Sequence, residues 1–184
     1  MTALPKTRMT VDEFLAWAEE QPGRHELHDG LIHAMAPETA GHAKIKAATH
    51  AALLAGIRAR GLACHALPDG MTVRVDQFKS YEPDALVYCG KELDPTAIEV
   101  PDPMILVEVL SPSTREIDLS RKLAVYFRLP SVAHYLIVEP LEPLIIHHAR
   151  AADDTILTRI VREGAITLDP PGLELALSDV YQNS

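Results

Sequence analysis

The sequence predicts an α+β fold of the α/β kind: a mixed central sheet flanked by helices, with antiparallel β-hairpins added toward the C-terminus. Three observations predict it. An Ala-rich segment of helical period from Glu38 to Arg60 precedes short apolar runs at 84–89 and 104–110, each carrying an acid. A capped helical segment then follows the second run and leads to a third at 133–139. Beyond about residue 144 only short strand candidates remain.

The elements follow in order. Residues 1–9 read as a flexible arm ahead of a single domain spanning 1–184. Thr10-Val-Asp-Glu13 is a capping box, so a helix runs to about Glu20 with Phe14 and Trp17 turned inward, and Pro22-Gly23 ends it. His25–His28 and Leu31–Met35 read as a hairpin around an Asp29-Gly30 turn. The helix from Glu38 to Arg60 buries a stripe of Ile45, Thr49, Ala52, Leu53 and Ile57, and Gly61 closes it. Strands are expected at 62–67, 71–75, 84–89 and 104–110, with a proline-bearing loop from Asp94 to Pro103 between the last two. Ser113-Thr-Arg-Glu116 is a second capping box and opens a helix over about 114–129. Strands at 133–139, 144–149, 155–162, 165–168 and 173–177 lead to a short final turn.

Composition narrows the function classes. The chain has 184 residues, a 47 % apolar fraction and a formal net charge of −9. The surface as a whole therefore does not attract nucleic acid, though a bound metal or a local basic patch can reverse the field where it matters. Basic residues gather at Lys44, Lys46, Arg58 and Arg60, and again at Arg115, Arg121, Lys122 and Arg128. A solvated helix face is the default reading of both sets. Cys64 and Cys89 lack any Cys-x-x-Cys spacing and read as two reduced core thiols of a cytoplasmic protein. The N-terminus lacks a signal-peptide pattern, and no apolar run is long enough to span a membrane.

The chemistry lies in an acid, an acid and a lysine. Asp84 follows Pro83 at the mouth of one apolar strand, and Glu108 sits inside Met104–Leu110 on the face of Leu106 and Leu110. A carboxylate inside a core strand is costly unless a positive partner meets it. One partner is a divalent cation, which hard oxygen donors suit. The other is an ion pair with Lys122 or Arg121. Lys122, four residues after Asp118 and four before Tyr126, shares one helix face with both. The hydroxyls of Ser111-Pro-Ser-Thr-Arg115 and the helix start behind them could receive a phosphate.

The segment Met104-Ile-Leu-Val-Glu-Val-Leu-Ser-Pro-Ser-Thr114, followed by Asp118, Lys122 and Tyr126, resembles the hallmark of the Uma-type restriction endonuclease-like family, in the PD-(D/E)xK nuclease superfamily. His25–Gly30, Glu82-Pro-Asp84 and Tyr135–Pro140 match as well, so the resemblance covers about residues 10 to 180. It implies a restriction endonuclease-like core and hydrolysis of nucleic-acid phosphodiester bonds, DNA before RNA, with Mg2+ or Mn2+. It implies Asp84 and Glu108 as metal ligands, the Val109 carbonyl as a third, and Lys122 as the catalytic cation. Glu26 and His42 fall at positions where similar sequences carry an acid and a histidine. The superfamily's usual lysine position is occupied here by Leu110, so the cation has moved to the next helix. A homodimer fits a nuclease that cuts both strands of a duplex. The competing reading is a non-catalytic relative of the same fold that binds a partner or assembles as a dimer.

Overall fold

The computed structural model describes residues 7–111 and 121–181. Helix α1 (Val11–Ala18) starts where Thr10 and Glu13 exchange the two bonds of a capping box. Strands β1 (His25–His28) and β2 (Leu31–Ala34) form the hairpin, with Asp29 and Gly30 at positive φ in its turn. Helix α2 (Ala40–Arg60) is capped by Thr39 and ended by Gly61 in the left-handed region. It buries His42 together with Ile45, Thr49, Leu53 and Ile57.

Then come β3 (Cys64–Pro68), β4 (Val73–Asp76), β5 (Lys79–Tyr81), β6 (Ala85–Cys89) and β7 (Pro103–Val109). Helix α3 (Leu123–Tyr126) precedes β8 (His134–Val138), β9 (Ile145–Arg150) and β10 (Ile156–Val161). Strands β11 (Ala165–Leu168) and β12 (Leu173–Ala176) and helix α4 (Leu177–Tyr181) complete the described chain.

A six-stranded sheet in the order β10-β9-β8-β7-β6-β3 runs through the centre. Its β7–β8 pair is parallel and its other pairs are antiparallel, so the sheet is mixed as expected. Strand alternation divides its side chains between two cores. On one face Val107, Val109, Leu136 and Val138 pack with Ile45, Leu53 and Ile57 of α2 and with Ile166, Leu168 and Leu173 of the β11–β12 pair. On the other, Leu86, Leu106, Leu110 and Ile137 pack with Tyr126, Tyr81 and Val73. The second sheet, β2-β1-β5-β4, carries Glu26 and His28 and stands on that second side through Tyr81 and Val73.

Three readings change. The arm does not extend to residue 9: the Arg8 guanidinium lies 4.0 Å from the Phe78 ring centroid, and the Met9 amide donates to the Gly30 carbonyl. Residues 1–6 of that arm and the Ser113–Glu116 capping box lie outside the described residues. Strand β5 was not foreseen, because Lys79-Ser-Tyr81 is short and polar and is placed by the turn in which Asp76 accepts from the Phe78 amide. Cys64 and Cys89 are joined by a disulfide rather than reduced. They are direct register partners across β3 and β6, which brings their Cα atoms to 3.9 Å. The reading of two reduced thiols is corrected accordingly. Among the described residues no helix is long and apolar enough to cross a membrane.

Candidate active site

The site forms where β7 outruns β6. The register between the two begins at Ala85 opposite Val107, while β7 continues to Val109. Pro83, with no amide hydrogen, cannot extend the ladder. Two side chains take up the Val109 backbone instead. Its N–H donates to Asp84 Oδ2 at 2.7 Å, and its carbonyl lies 3.0 Å from His42 Nε2. The strand end thereby fixes a carboxylate and a carbonyl side by side, and β8 supports them from behind by pairing Val138 with Val109.

His42 reaches this corner from the first turn of α2. Nε2 also lies 3.5 Å from Asp84 Oδ2, and Nδ1 lies 3.0 Å from Glu38 Oε2. Burial alone would lower the His42 pKa; Asp84, Glu38 and the Val109 carbonyl outweigh burial and push it up to about 9. The ring is thus a cation at neutral pH, donating from both nitrogens. From Glu38 the charges continue outward: Lys46 contacts Glu38 at 2.6 Å and Asp69 at 2.9 Å, Asp69 pairs with Arg24, and Arg24 reaches Glu82 at 2.8 Å. Lys46 is therefore held by two acids and is no part of a solvated helix face.

Glu108 points to the other side of β7, toward α3. Its Oε1 accepts from Lys122 Nζ at 2.8 Å and from the Tyr126 hydroxyl at 2.7 Å. Lys122 donates in addition to Glu26 Oε1 at 2.9 Å. Glu26 is oriented from β1 by the Glu82 amide at 3.1 Å and by His28 Nε2 at 3.0 Å. Lys122 is only 2 % exposed, against the surface position that a simple i,i+4 pair would imply. Its amine also lies 5.4 Å from the centroid of the Tyr81 ring. Burial would raise the Glu26 pKa; Lys122 and His28 outweigh it and hold the carboxyl at about 2, ionised throughout the physiological range.

These groups line one cleft of about 930 Å³, bounded by β1–β2, the start of α2, the ends of β6 and β7, and the β8–β9 turn. All of the anticipated site residues meet here: Asp84, Glu108, Lys122, Glu26, His42 and the Val109 carbonyl. Lys122 contacts Glu108 and Glu26, whereas Asp84 is gripped from the α2 side. Asp118 and most of the Ser111–Arg115 phosphate-binding segment lie outside the described residues. Sequence reasoning put Tyr126 on the helix face of Lys122 without giving it a role, and it missed two contributors. His28 stands two strand positions after Glu26, so spacing alone could have nominated it. The Arg24–Asp69–Lys46 chain joins residues far apart in sequence and left no local signal.

Among the described residues no group of three or more His, Cys, Asp and Glu side chains is arranged to hold a metal. What the site offers is two carboxylates, Asp84 and Glu108, and one backbone carbonyl. That all-oxygen, partly open set suits Mg2+, which keeps several waters and takes one or two carboxylates. His42 Nε2, 3.5 Å from Asp84 Oδ2 and 3.0 Å from the Val109 carbonyl, touches two of these oxygens and would share them with the ion.

Comparison with known proteins identifies the family and the fold. The family model Uma2, described as "putative restriction endonuclease", matches residues 11–179. A curated relative, an uncharacterised protein of Synechocystis sp., is 26 % identical over 188 residues, covering 97 % of this chain and 94 % of its own length. A crystal structure described as a putative nuclease of the DUF820 family from Anabaena variabilis superposes with a TM-score of 0.75. It covers 95 % of this chain and 98 % of its own at 16 % identity, a likeness of fold.

Proposed function

We propose that this chain, which belongs to the Uma2 family of restriction endonuclease-like proteins, hydrolyses phosphodiester bonds in nucleic acid, with DNA as substrate and Mg2+ or Mn2+ as cofactor. The observation that carries the reading is the buried Lys122 amine, held between Glu26 and Glu108 on the wall of the cleft that contains Asp84. Asp84, Glu108 and the Val109 carbonyl are the groups that would hold the cation. When bound there, a divalent ion neutralises a phosphate and acidifies a water.

The protein's own groups supply the rest. Lys122 presents a desolvated ammonium to the negative charge that develops on the phosphorus oxygens. Glu26 and Tyr126 hold that ammonium and Glu108 in register, so little reorganisation is needed when the substrate enters. His42 orients Asp84 and the carbonyl. Leu110, at the superfamily's usual lysine position, is buried in the second core and is only 2 % exposed, so the amine has to come from the helical turn after β7.

The test is cleavage of supercoiled, linear and single-stranded DNA with Mg2+ or Mn2+. We expect metal-dependent cleavage, reduced at least about 100-fold by Asp84→Ala and by Lys122→Ala. Cleavage unchanged in both variants would remove these residues from the chemistry. One observation favours a non-catalytic binding role instead: Lys122 forms buried ion pairs with both Glu26 and Glu108, which is also what a purely structural network would show. That reading predicts a folded protein that neither takes up Mn2+ at Asp84 and Glu108 nor cuts any of the three substrates.

A further inference from the structure

The central sheet ends in β10, which among the described residues has β9 on one side and no strand on the other. Residues 157–160 are exposed, and Leu157 and Ile160 leave 53 % and 65 % of their surfaces in solvent. The strand reads Ile156-Leu-Thr-Arg-Ile-Val161, with no proline or lysine; only Arg159 offers the charge that usually blunts an edge. The Ala151 amide donates to the Thr155 carbonyl, so the backbone of Thr155 faces β9. Period-two alternation then turns the backbone groups of Leu157, Arg159 and Val161 inward as well, and those of Ile156, Thr158 and Ile160 outward.

We propose that this open edge pairs antiparallel with β10 of a second copy of the chain, about a two-fold axis at Thr158. Outward-facing residues must meet outward-facing ones, which leaves only registers centred on a single residue. Side-chain chemistry chooses among them. With the axis at Thr158, Ile156 lies opposite the partner's Ile160, and Leu157 lies along the aliphatic stem of the partner's Arg159. Asp154 comes opposite the partner's Arg162, and Asp153 opposite the partner's Glu163. An axis at Arg159 would set two guanidinium groups face to face. An axis at Leu157 would set Ile160 against the partner's Asp154, and one at Ile160 would set Leu157 against the partner's Glu163. About Thr158 the strand residues 156–160 and the Asp154–Arg162 pair are complementary to themselves, and a second copy is the occupant that this complementarity specifies. The two sheets become one, and the two β7 strands stand seven strand spacings apart, about 33 Å, so each cleft stays within its own subunit.

Sedimentation of the full chain tests the pairing. We expect twice the 20.2 kDa chain mass for the wild type and a single chain mass for Ile160→Lys. The replaced side chain is exposed, so the variant should keep the wild-type circular dichroism spectrum and melting profile. Single cysteines at 157, 158, 159 and 160 then fix the register. In the proposed pairing the two Thr158 Cα atoms are about 5.5 Å apart, within disulfide reach, so Thr158→Cys alone should cross-link efficiently. A monomeric wild type, a dimer indifferent to Ile160→Lys, or cross-linking at 157 or 160 in preference to 158 would each overturn the proposal. So would a monomer that takes up an unrelated β-strand peptide at this edge.

Discussion

Lys122 lies between two carboxylates in a place where water cannot screen them, so its loss should be felt in stability as well as in chemistry. Lys122→Met removes the cation that Glu26 and Glu108 share, and we expect a loss of about 3–5 kcal/mol in urea unfolding. Added Mn2+ should recover part of that loss by supplying the missing positive charge; no recovery would separate these glutamates from any metal role. The acid pair and the lysine were legible as residues because a carboxylate in an apolar strand demands a partner. Their pairing was not legible in detail. Spacing suggested a lysine reaching across to Asp84 and Glu108, and the structure joins it to Glu108 and to Glu26 on a different sheet. That choice depends on how the β1–β2 hairpin is placed over the central sheet, which no local pattern encodes.

The helices and hairpins with strong local chemistry were readable as elements: the Thr10–Glu13 box, the Asp29-Gly30 turn and the Gly61 stop all appear where the residues place them. Strand β5 was unreadable because it is three residues long and polar, and because besides its hairpin with β4 it is held by a non-local pairing of Ser80 with Leu27. A second non-local feature is the approach of α2 to β12. A Cβ built at Gly56 would lie 3.0 Å from Leu173 Cδ1 and 3.2 Å from the Glu174 carbonyl oxygen, closer than the backbone there can easily yield. Gly56→Leu should therefore overpack the first core and cost about 1–3 kcal/mol, despite the better helix propensity of leucine. An unchanged unfolding midpoint would mean that α2 can lift from β12 without loss.

For the molecule as a whole, the clearest pH effect lies away from the cleft. His134 Nδ1 and His147 Nε2 are 3.0 Å apart and buried between β8 and β9. Burial, aided by His134 and Arg159, pushes His147 down to about 4, against about 6.5 in an unfolded chain. Between those values the unfolded state binds the proton and the folded state does not, so stability falls as pH drops from 6.5 to 4. The loss from this residue is up to about 3 kcal/mol. His147→Gln should flatten the dependence in that window, while the fall below pH 4.5 set by Glu26, held at about 2, should persist. If Asp84 and Glu108 hold a divalent cation beside Lys122, titration calorimetry with Mn2+ detects uptake by the wild type that Glu108→Gln abolishes. No uptake by the wild type, or uptake unaltered in Glu108→Gln, would remove these carboxylates from metal binding.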